Sequence, residues 1–552
     1  MWAMPYSAKE LSFRVRLIND CSFFHISDGS RIKSNKSEVL EIKNNAGILI
    51  KGAAAMTVFS LIAKLLGVFM RLFLSARIGS EGMGLYQLIM SVYVMFSTFA
   101  TGGFTLSVSR LVAEKDQRSA PDARLLMKNS LLASAVISAL ATALMIFGAD
   151  FIASALLGDP RCASPLRILA LSMPFMAFSG CFKGWFIAKR RVGIRSSSTL
   201  FEQVIKIAVI ALFLNVFMAG TRDIGDLCRG IVIGVTLSEI ASCLYLLLFY
   251  LFPRRKEYSR SLPTESARSS MRSLMSVTVP ISLSVYLTSI LHTAETLLIP
   301  YVFESYSGDR AQALSQFGMI RGMVIPILFF PFAFLSSLVA VFTPEISRLN
   351  MLSDRRPINA RISSLTSFVS IFSVAVGGLF FFLPYELGEA FYPNENTANA
   401  IRVLSVVTPF MYVETVCDGL LKAIGEQVQT LKYQLLNSAL RVILILLIVS
   451  RMGERGYLLL LVASNTLTYF LCRRRLYKAT GVAPRIISDV LFPLISAVAS
   501  GAAARIVLNA LSLESKTAAA SAGSSVYIGT FALCLMLFAF ERIKSTYHRL
   551  RG

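Results

Sequence analysis

Leu166-Arg-Ile-Leu-Ala-Leu-Ser-Met-Pro-Phe-Met176 reads without a gap against Ile401-Arg-Val-Leu-Ser-Val-Val-Thr-Pro-Phe-Met411, 235 residues further on. At the same shift Gly184 meets Gly419, Ala188 meets Ala423, Gln203 meets Ser438, Lys206 meets Arg441 and Ile207 meets Val442, so the match crosses two apolar segments and the basic loop between them. A purely apolar match arises readily by chance in a hydrophobic chain, but a shared Arg, a Pro-Phe-Met and a Gly at one constant shift do not. Two copies running in the same direction predict two halves related about an axis along the membrane normal. Carriers of this design rock one half against the other around a site between them.

Each copy occupies the fourth and fifth apolar segments of a set of six. The first set lies near 48–76, 84–108, 130–149, 165–188, 199–218 and 230–252, and the second near 274–302, 314–342, 363–384, 400–422, 433–450 and 456–472. Two more lie near 488–508 and 522–540. At roughly 20 apolar residues per crossing, this predicts an all-α integral membrane protein of about fourteen transmembrane helices. The expected organisation is a cationic cytoplasmic tail (1–46), a first six-helix bundle (47–252), a basic cytoplasmic connector (253–273), a second six-helix bundle (274–480), two C-terminal transmembrane helices (481–541) and a short cytoplasmic tail (542–552). The first 45 or so residues lack the uninterrupted apolar core of a signal peptide; they read as a poorly ordered tail or as an overlong start.

Bulk composition agrees. Of 552 residues 55% are hydrophobic and 16% charged, with a mean hydropathy of +0.63, too little polar surface to coat a globule of this size. The net charge of +23 would suit nucleic acid on a soluble domain, but no such domain is visible and nucleic acid is not an expected partner. The positive charge is instead distributed by loop. With the N-terminus placed inside, the cytoplasmic connectors and C-terminal tail hold about 30 Lys or Arg and the outer connectors about eight, the contrast expected of the positive-inside rule. The outer connectors carry acids: Asp150, Asp159, Asp223, Asp226, Asp309, Glu386, Glu389 and Glu395. Both termini are therefore expected in the cytoplasm.

Charged side chains in apolar segments face a bundle interior or a wet cavity, because hydrocarbon solvates them poorly. Lys64 and Arg71 lie seven apart, two turns of one helix face, and are candidates to neutralise an anionic head group. Arg321 is a third basic cavity candidate. Glu239, with no local partner, is a fourth member of the expected cavity. His292 and Glu295, three apart, and Glu414 and Asp418, one turn apart, are candidates for ion or proton coupling. Glu202 and Lys206, four apart, read as an ordinary intrahelical pair. Pro174, Pro280, Pro326, Pro331 and Pro409 each remove a backbone hydrogen bond and are candidate hinges. Gly79-Ser-Glu-Gly-Met-Gly84 reads as a tight outer turn. The eight cysteines are scattered without a CxxC pair and read as small buried hydrophobes. No Walker A, HExxH, GxSxG or Asp-rich metal motif occurs; no cofactor, metal or catalytic residue is expected.

The stretches Lys51-Gly52, Lys64-Leu-Leu-Gly67, Arg71, Ala76-Arg-Ile-Gly79, Glu81-Gly-Met-Gly-Leu-Tyr86 and Leu111-Val-Ala-Glu114 closely resemble the opening of the stage V sporulation protein B family. Gly318-Met-Ile-Arg-Gly-Met323, Pro326, Pro331 and Thr343-Pro-Glu-Ile-Ser347 resemble a later part of it, and the resemblance covers about 45–480. That family stands with the lipid II flippases and polysaccharide exporters of the multidrug/oligosaccharidyl-lipid/polysaccharide superfamily. The resemblance implies bundles forming a V around a central cavity, alternating access, and Lys64 and Arg71 as first-span cavity bases. The implied partner is a polyprenyl-pyrophosphate-linked sugar or peptidoglycan precursor, moved across the bacterial plasma membrane beside the cell-wall synthesis machinery, in spore cortex or other wall synthesis. Two alternatives stand beside this flippase: a cation-coupled multidrug exporter of the same superfamily, and a membrane-embedded glycan transferase or ligase.

Overall fold

The computed structural model describes residues 36–116, 119–218, 220–221, 223–252, 264–350, 356–393, 396–511 and 515–551. The chain divides into a short unit, Met1–Gly52, and a large one, Ala53–Gly552. Residues 1–35, most of the expected cationic tail, and 253–263, most of the basic connector, lie outside the described residues. Every candidate site residue belongs to the large unit.

Among the described residues the regular structure is helical throughout. The first half contains α1 (Lys36–Thr101), α2 (Phe104–Asp116), α3 (Ala120–Phe151), α4 (Ala163–Ala170), α5 (Met173–Ala188), α6 (Val192–Leu212) and α7 (Ile224–Leu251). The second contains α8 (Ala267–Ser307), α9 (Arg310–Phe317), α10 (Ile325–Phe329), α11 (Phe332–Leu349), α12 (Arg356–Phe382), α13 (Pro384–Phe391), α14 (Ala398–Ala423), α15 (Gln427–Leu444) and α16 (Ser450–Thr480). Helices α17 (Phe492–Leu511) and α18 (Lys516–Arg551) close the chain.

Eleven helices are long and apolar enough to cross a membrane, or twelve if the bent pair Pro160–Ala170 and Met173–Ala188 is one span. Two of the eleven are of double length, Val58–Asp116 with 59 residues and Gln427–Thr480 with 54. Each contains a glycine at which the backbone leaves helical geometry, Gly79 (φ 63°, ψ −172°) and Gly453 (φ 55°, ψ −134°). The sequence reading of fourteen crossings counts each of these as two. The expected tight turn at 79–84 is narrower than the sequence suggested: Gly79 alone breaks the helix, and residues 80–84 already belong to the next segment.

The internal repeat recurs in the helix register. Ala120, Ala163 and Val192 open helices in the first half, and Arg356, Ala398 and Gln427 open them in the second, at a shift of 235 or 236. Packing follows the same scheme: α5 lies against α3 and α7, and α14 lies against α12 and α16. The repeated prolines behave differently. Pro174 opens α5 at a 45° bend, whereas Pro409 stays inside the unbroken α14. There the ring of Pro409 and the carbonyl of Ser405 pack against Gly377, a position with no room for a Cβ. Pro280 also lies inside an unbroken helix, α8, while Pro326 and Pro331 flank real interruptions between α9 and α11. The seven described cysteines are unpaired and six are buried.

The two halves meet where side chains vanish. A Cβ on Gly84 would strike the carbonyl of Leu314, and one on Gly318 would strike the carbonyl of Ser80 and the amide of Gly84. Ser80 and Leu314 each stand four residues before a contacting glycine, so the two segments exchange roles across the contact. Such reciprocity is what a two-fold relation between parallel segments produces, and small residues let the backbones approach this closely. Ser80 Oγ and Ser315 Oγ lie 2.6 Å apart beside it. Further along α1 and α2 a second contact forms: the Gly103 amide donates to Ser282 Oγ at 2.8 Å, and Tyr286 Oη donates to the Phe99 carbonyl at 3.0 Å.

Candidate functional site: a basic cavity between the halves

Between these two contacts lies a cavity of about 650 Å³, within the range of small-ligand sites. The first half lines it from α1, on both sides of the Gly79 break, and from α6; the second half lines it from α8, α9 and the π-helical turn Gly318–Val324. Its charged members are Arg71, Lys206 and Arg321, with His292 beside them, and among the described residues no Asp or Glu takes part in the lining. Gln87, Ser91, Thr98, Gln203, Thr288, Ser289, Thr293 and Thr296 supply neutral donors and acceptors. The arrangement attracts an anion and offers hydrogen bonds to a hydroxyl-rich group.

Local structure aims each cation. Arg71 sits on α1 eight residues before the Gly79 break and makes no ion pair with another described residue. Arg321 projects from the π-helical turn Gly318–Val324; π turns re-aim side chains and recur at functional sites. Pro326 has no amide hydrogen, so the carbonyl one turn earlier has no α-helical partner. Two tyrosines bond to carbonyls of this interrupted region: Tyr392 Oη donates to Met323 O at 3.1 Å, and Tyr412 Oη donates to Leu328 O. Both tyrosines are buried, which fixes the backbone that carries Arg321.

Behind the cavity wall two charged networks balance these cations. In the second half Glu295, only 2% exposed, accepts from Arg321 Nη2 at 2.9 Å and from Arg441 Nη1 at 3.3 Å. Arg441 also donates to Ser464 Oγ at 2.9 Å and Asn465 Oδ1 at 3.1 Å. In the first half Glu202 is paired with Lys206 at 3.3 Å and Lys183 at 3.7 Å, and Glu239 on α7 is buried. Buried ions persist only when paired in this way.

The sequence candidates thus fall into three groups. Arg71, Arg321 and His292 come together in the cavity. Lys64 does not line it; its Nζ donates to Ser336 Oγ at 2.5 Å, linking α1 to α11. Of the two first-span bases, only Arg71 reaches the space. Glu239 and Glu295 lie behind the wall. Glu414 and Asp418 are on α14 away from the lining; Asp418 is engaged by Lys422 Nζ at 2.6 Å and by Gln434 Nε2 at 3.4 Å. Among the described residues no group of three or more His, Cys, Asp or Glu is placed to hold a metal ion. Sequence reasoning missed Lys206 as a lining cation and Arg441 as the second partner of Glu295. The signal was available, since the repeat aligns these two residues with each other.

Comparison with known proteins places this geometry. The chain is 23% identical over 435 residues to stage V sporulation protein B of Bacillus subtilis (strain 168), covering 76% of this chain and 82% of that protein. Its fold is similar to that of the lipid II flippase MurJ in an inward closed conformation, with a TM-score of 0.68 at 12% identity over 88% of this chain and 99% of that one. An inward-facing multidrug resistance MATE family transporter of the MOP superfamily is similar at a TM-score of 0.56 and 15% identity, over 78% of this chain and 100% of that one. The chain is thus a multi-pass membrane protein with the two-bundle fold shared by these carriers. Residues 49–350, more than half of the 552, match the family described as Polysaccharide biosynthesis protein, and the chain belongs to that family.

Proposed function

We propose that the chain is a flippase that carries a polyprenyl-pyrophosphate-linked sugar or peptidoglycan precursor across the plasma membrane of a bacterium by alternating access. The observation that carries this reading is the cavity between the halves, lined among the described residues by Arg71, Lys206 and Arg321 and by no carboxylate. A pyrophosphate would meet three cations there and its sugars the Gln, Ser and Thr side chains, while the polyprenyl chain stays in lipid. No bond need be made or broken, because the work is to give a polar head group a path that hydrocarbon denies it. The names borne by the similar proteins, a sporulation protein and a lipid II flippase, agree with a cargo of this class and with a role in wall or spore-cortex synthesis.

In this reading both termini are cytoplasmic, as loop charge argues, and the Gly84–Gly318 contact closes the outer end of the cavity. Of the four residues considered for coupling, His292 is the one that reaches the cavity itself. The drug-exporter reading shares the fold, but a basic cavity repels the cations such a carrier would take. Reconstitution tests the choice: proteoliposomes carrying fluorescently labelled lipid II in one leaflet are assayed for head groups exposed on the other. Absence of transfer, with and without an imposed potential, would sink the flippase reading. Transfer of cationic dyes that survives Arg71→Ala would favour the exporter.

A further inference from the structure

Glu295 accepts both of its guanidinium partners on one oxygen, Oε1, from Arg321 Nη2 at 2.9 Å and from Arg441 Nη1 at 3.3 Å. The two arginines are held differently. Arg441 on α15 uses all of its guanidinium nitrogens, with Nη1 on Glu295, Nε on Ser464 Oγ at 2.9 Å and Nη2 on Asn465 Oδ1 at 3.1 Å. Asn465 is itself tied to the Leu461 carbonyl at 2.7 Å. Arg321 donates Nη2 to Glu295, and its buried Nε has no partner among the described residues. Arg321 lines the cavity, whereas Arg441 stands behind it.

The first half follows the same plan with other residues. Glu202, behind the wall, pairs with Lys206 of the lining at 3.3 Å and with Lys183 on α5, outside the lining, at 3.7 Å. Each of these carboxylates thus stands between one cation that reaches the cavity and one that does not. Lys206 and Arg441 occupy matching repeat positions and yet hold opposite posts, so the shared plan does not follow from the repeat alone.

A guanidinium paired with a buried carboxylate is a poor anion receptor, because turning to the anion would leave the carboxylate unpaired where water is scarce. A second, fixed cation removes that obstacle. We propose that Arg441 is a positioning residue for cargo binding, the resident counter-ion that lets Glu295 release Arg321. When an anion enters, Arg321 turns from Glu295 to it, while Arg441, anchored by Ser464 and Asn465, keeps the carboxylate paired. When the cargo is ready to leave, Glu295 competes for Arg321 and draws it back, which limits how tightly the cavity holds an anion and favours release. This exchange rests on the cavity being the anion site of the reading above.

Binding of inorganic pyrophosphate to the purified full chain in nanodiscs tests the exchange. Arg441→Gln keeps a hydrogen-bonding group beside Ser464 and Asn465 but removes the charge, so that Arg321 stays with Glu295. Titration calorimetry should then show an affinity lower by about tenfold or more, the loss of one charge-assisted contact. Arg441→Lys, which retains the charge, should bind more tightly than Arg441→Gln. Adding Glu295→Gln to Arg441→Gln should restore affinity, since no carboxylate then claims Arg321; a merely structural role for Arg441 gives no such rescue. A structure of the wild type with pyrophosphate, which depends on no variant folding, should show Arg321 on the anion and Arg441 still on Glu295. Unchanged affinity in Arg441→Gln, a double variant as weak as the single one, or a bound structure in which Arg321 stays on Glu295 would overturn the proposal. Wild-type protein that binds no pyrophosphate would refute the anion cavity and the exchange with it, whereas tight binding by wild type and Arg441→Gln alike would refute the exchange alone.

Discussion

Replacing Gly318 by alanine should open one end of the cavity. The added Cβ would fall on the Ser80 carbonyl and the Gly84 amide, with the Gly84 Cα 2.9 Å away. These are backbone atoms of a packed helix, and no flexible side chain can swing aside to accommodate them. Overpacking of this kind costs about 1–3 kcal/mol. If the contact belongs to one state of an alternating carrier, that cost falls on this state alone. The ratio of closed to open populations at this end should then drop by about 5-fold to 150-fold, at roughly 1.4 kcal/mol per factor of ten.

Double electron–electron resonance reads such a shift directly. Nitroxides at Ser154→Cys and Ser305→Cys sit on exposed positions of the two halves close to the contact, Ser305 lying five residues before Arg310, whose side chain reaches the Leu157 carbonyl. The wild type should give a dominant short distance and Gly318→Ala a longer one. Gly84→Ala should act in the same direction, since its Cβ would strike the Leu314 carbonyl across the same two-fold contact. Superimposable distributions, with a melting temperature lowered by the substitution, would show that the cost is present in every state. The inference that this contact is a gate would then be wrong.

Arg71→Ala removes a lining cation that makes no ion pair with another described residue, and the loss of one charge-assisted contact of about 1.5–3 kcal/mol should weaken pyrophosphate binding by about 10-fold to 150-fold, as titration calorimetry will read, while the melting temperature barely moves. Glu295→Ala leaves Arg321 and Arg441 facing each other without their shared carboxylate and should destabilise the fold by about 3–5 kcal/mol, measured as a fall in thermal midpoint in nanodiscs; an unchanged midpoint would refute the counter-ion role. Gly79→Ala forces a side chain into a φ/ψ region used almost only by glycine, at about 1–3 kcal/mol, and should lower stability without changing the cation content of the cavity. Asp150→Ala, by contrast, breaks an exposed ion pair with Arg167 and should change stability by less than about 1 kcal/mol.

How far the sequence reached depends on the kind of information each feature needs. Bulk hydropathy, loop charge and the 235-residue shift are properties of the chain taken one or two segments at a time. They anticipated helical spans, a parallel two-half plan and a cavity between the halves, and Arg71 and Arg321 stood out because a guanidinium in an apolar run has little other reason to be there. The tight turn at 79–84 was overestimated because Gly79, Gly82 and Gly84 look alike in sequence. In space only Gly79 adopts a left-handed conformation, and Gly84 is needed for helix contact.

Lys206 was hidden by a sufficient local explanation. A Glu four residues earlier accounts for a Lys on a helix, and the pair does form at 3.3 Å, but the same side chain also reaches the cavity. Its repeat partner Arg441 shows why internal symmetry alone could not decide the matter. Position 202 is Glu and position 437 is Asn, so Arg441 lacks a carboxylate one turn away and takes Glu295 from α8 instead. One equivalent substitution thus turns an intrahelical pair into a bridge between helices. The halves share a backbone plan and differ in where their buried charge is balanced. Helix register decides that difference, and hydropathy does not encode it.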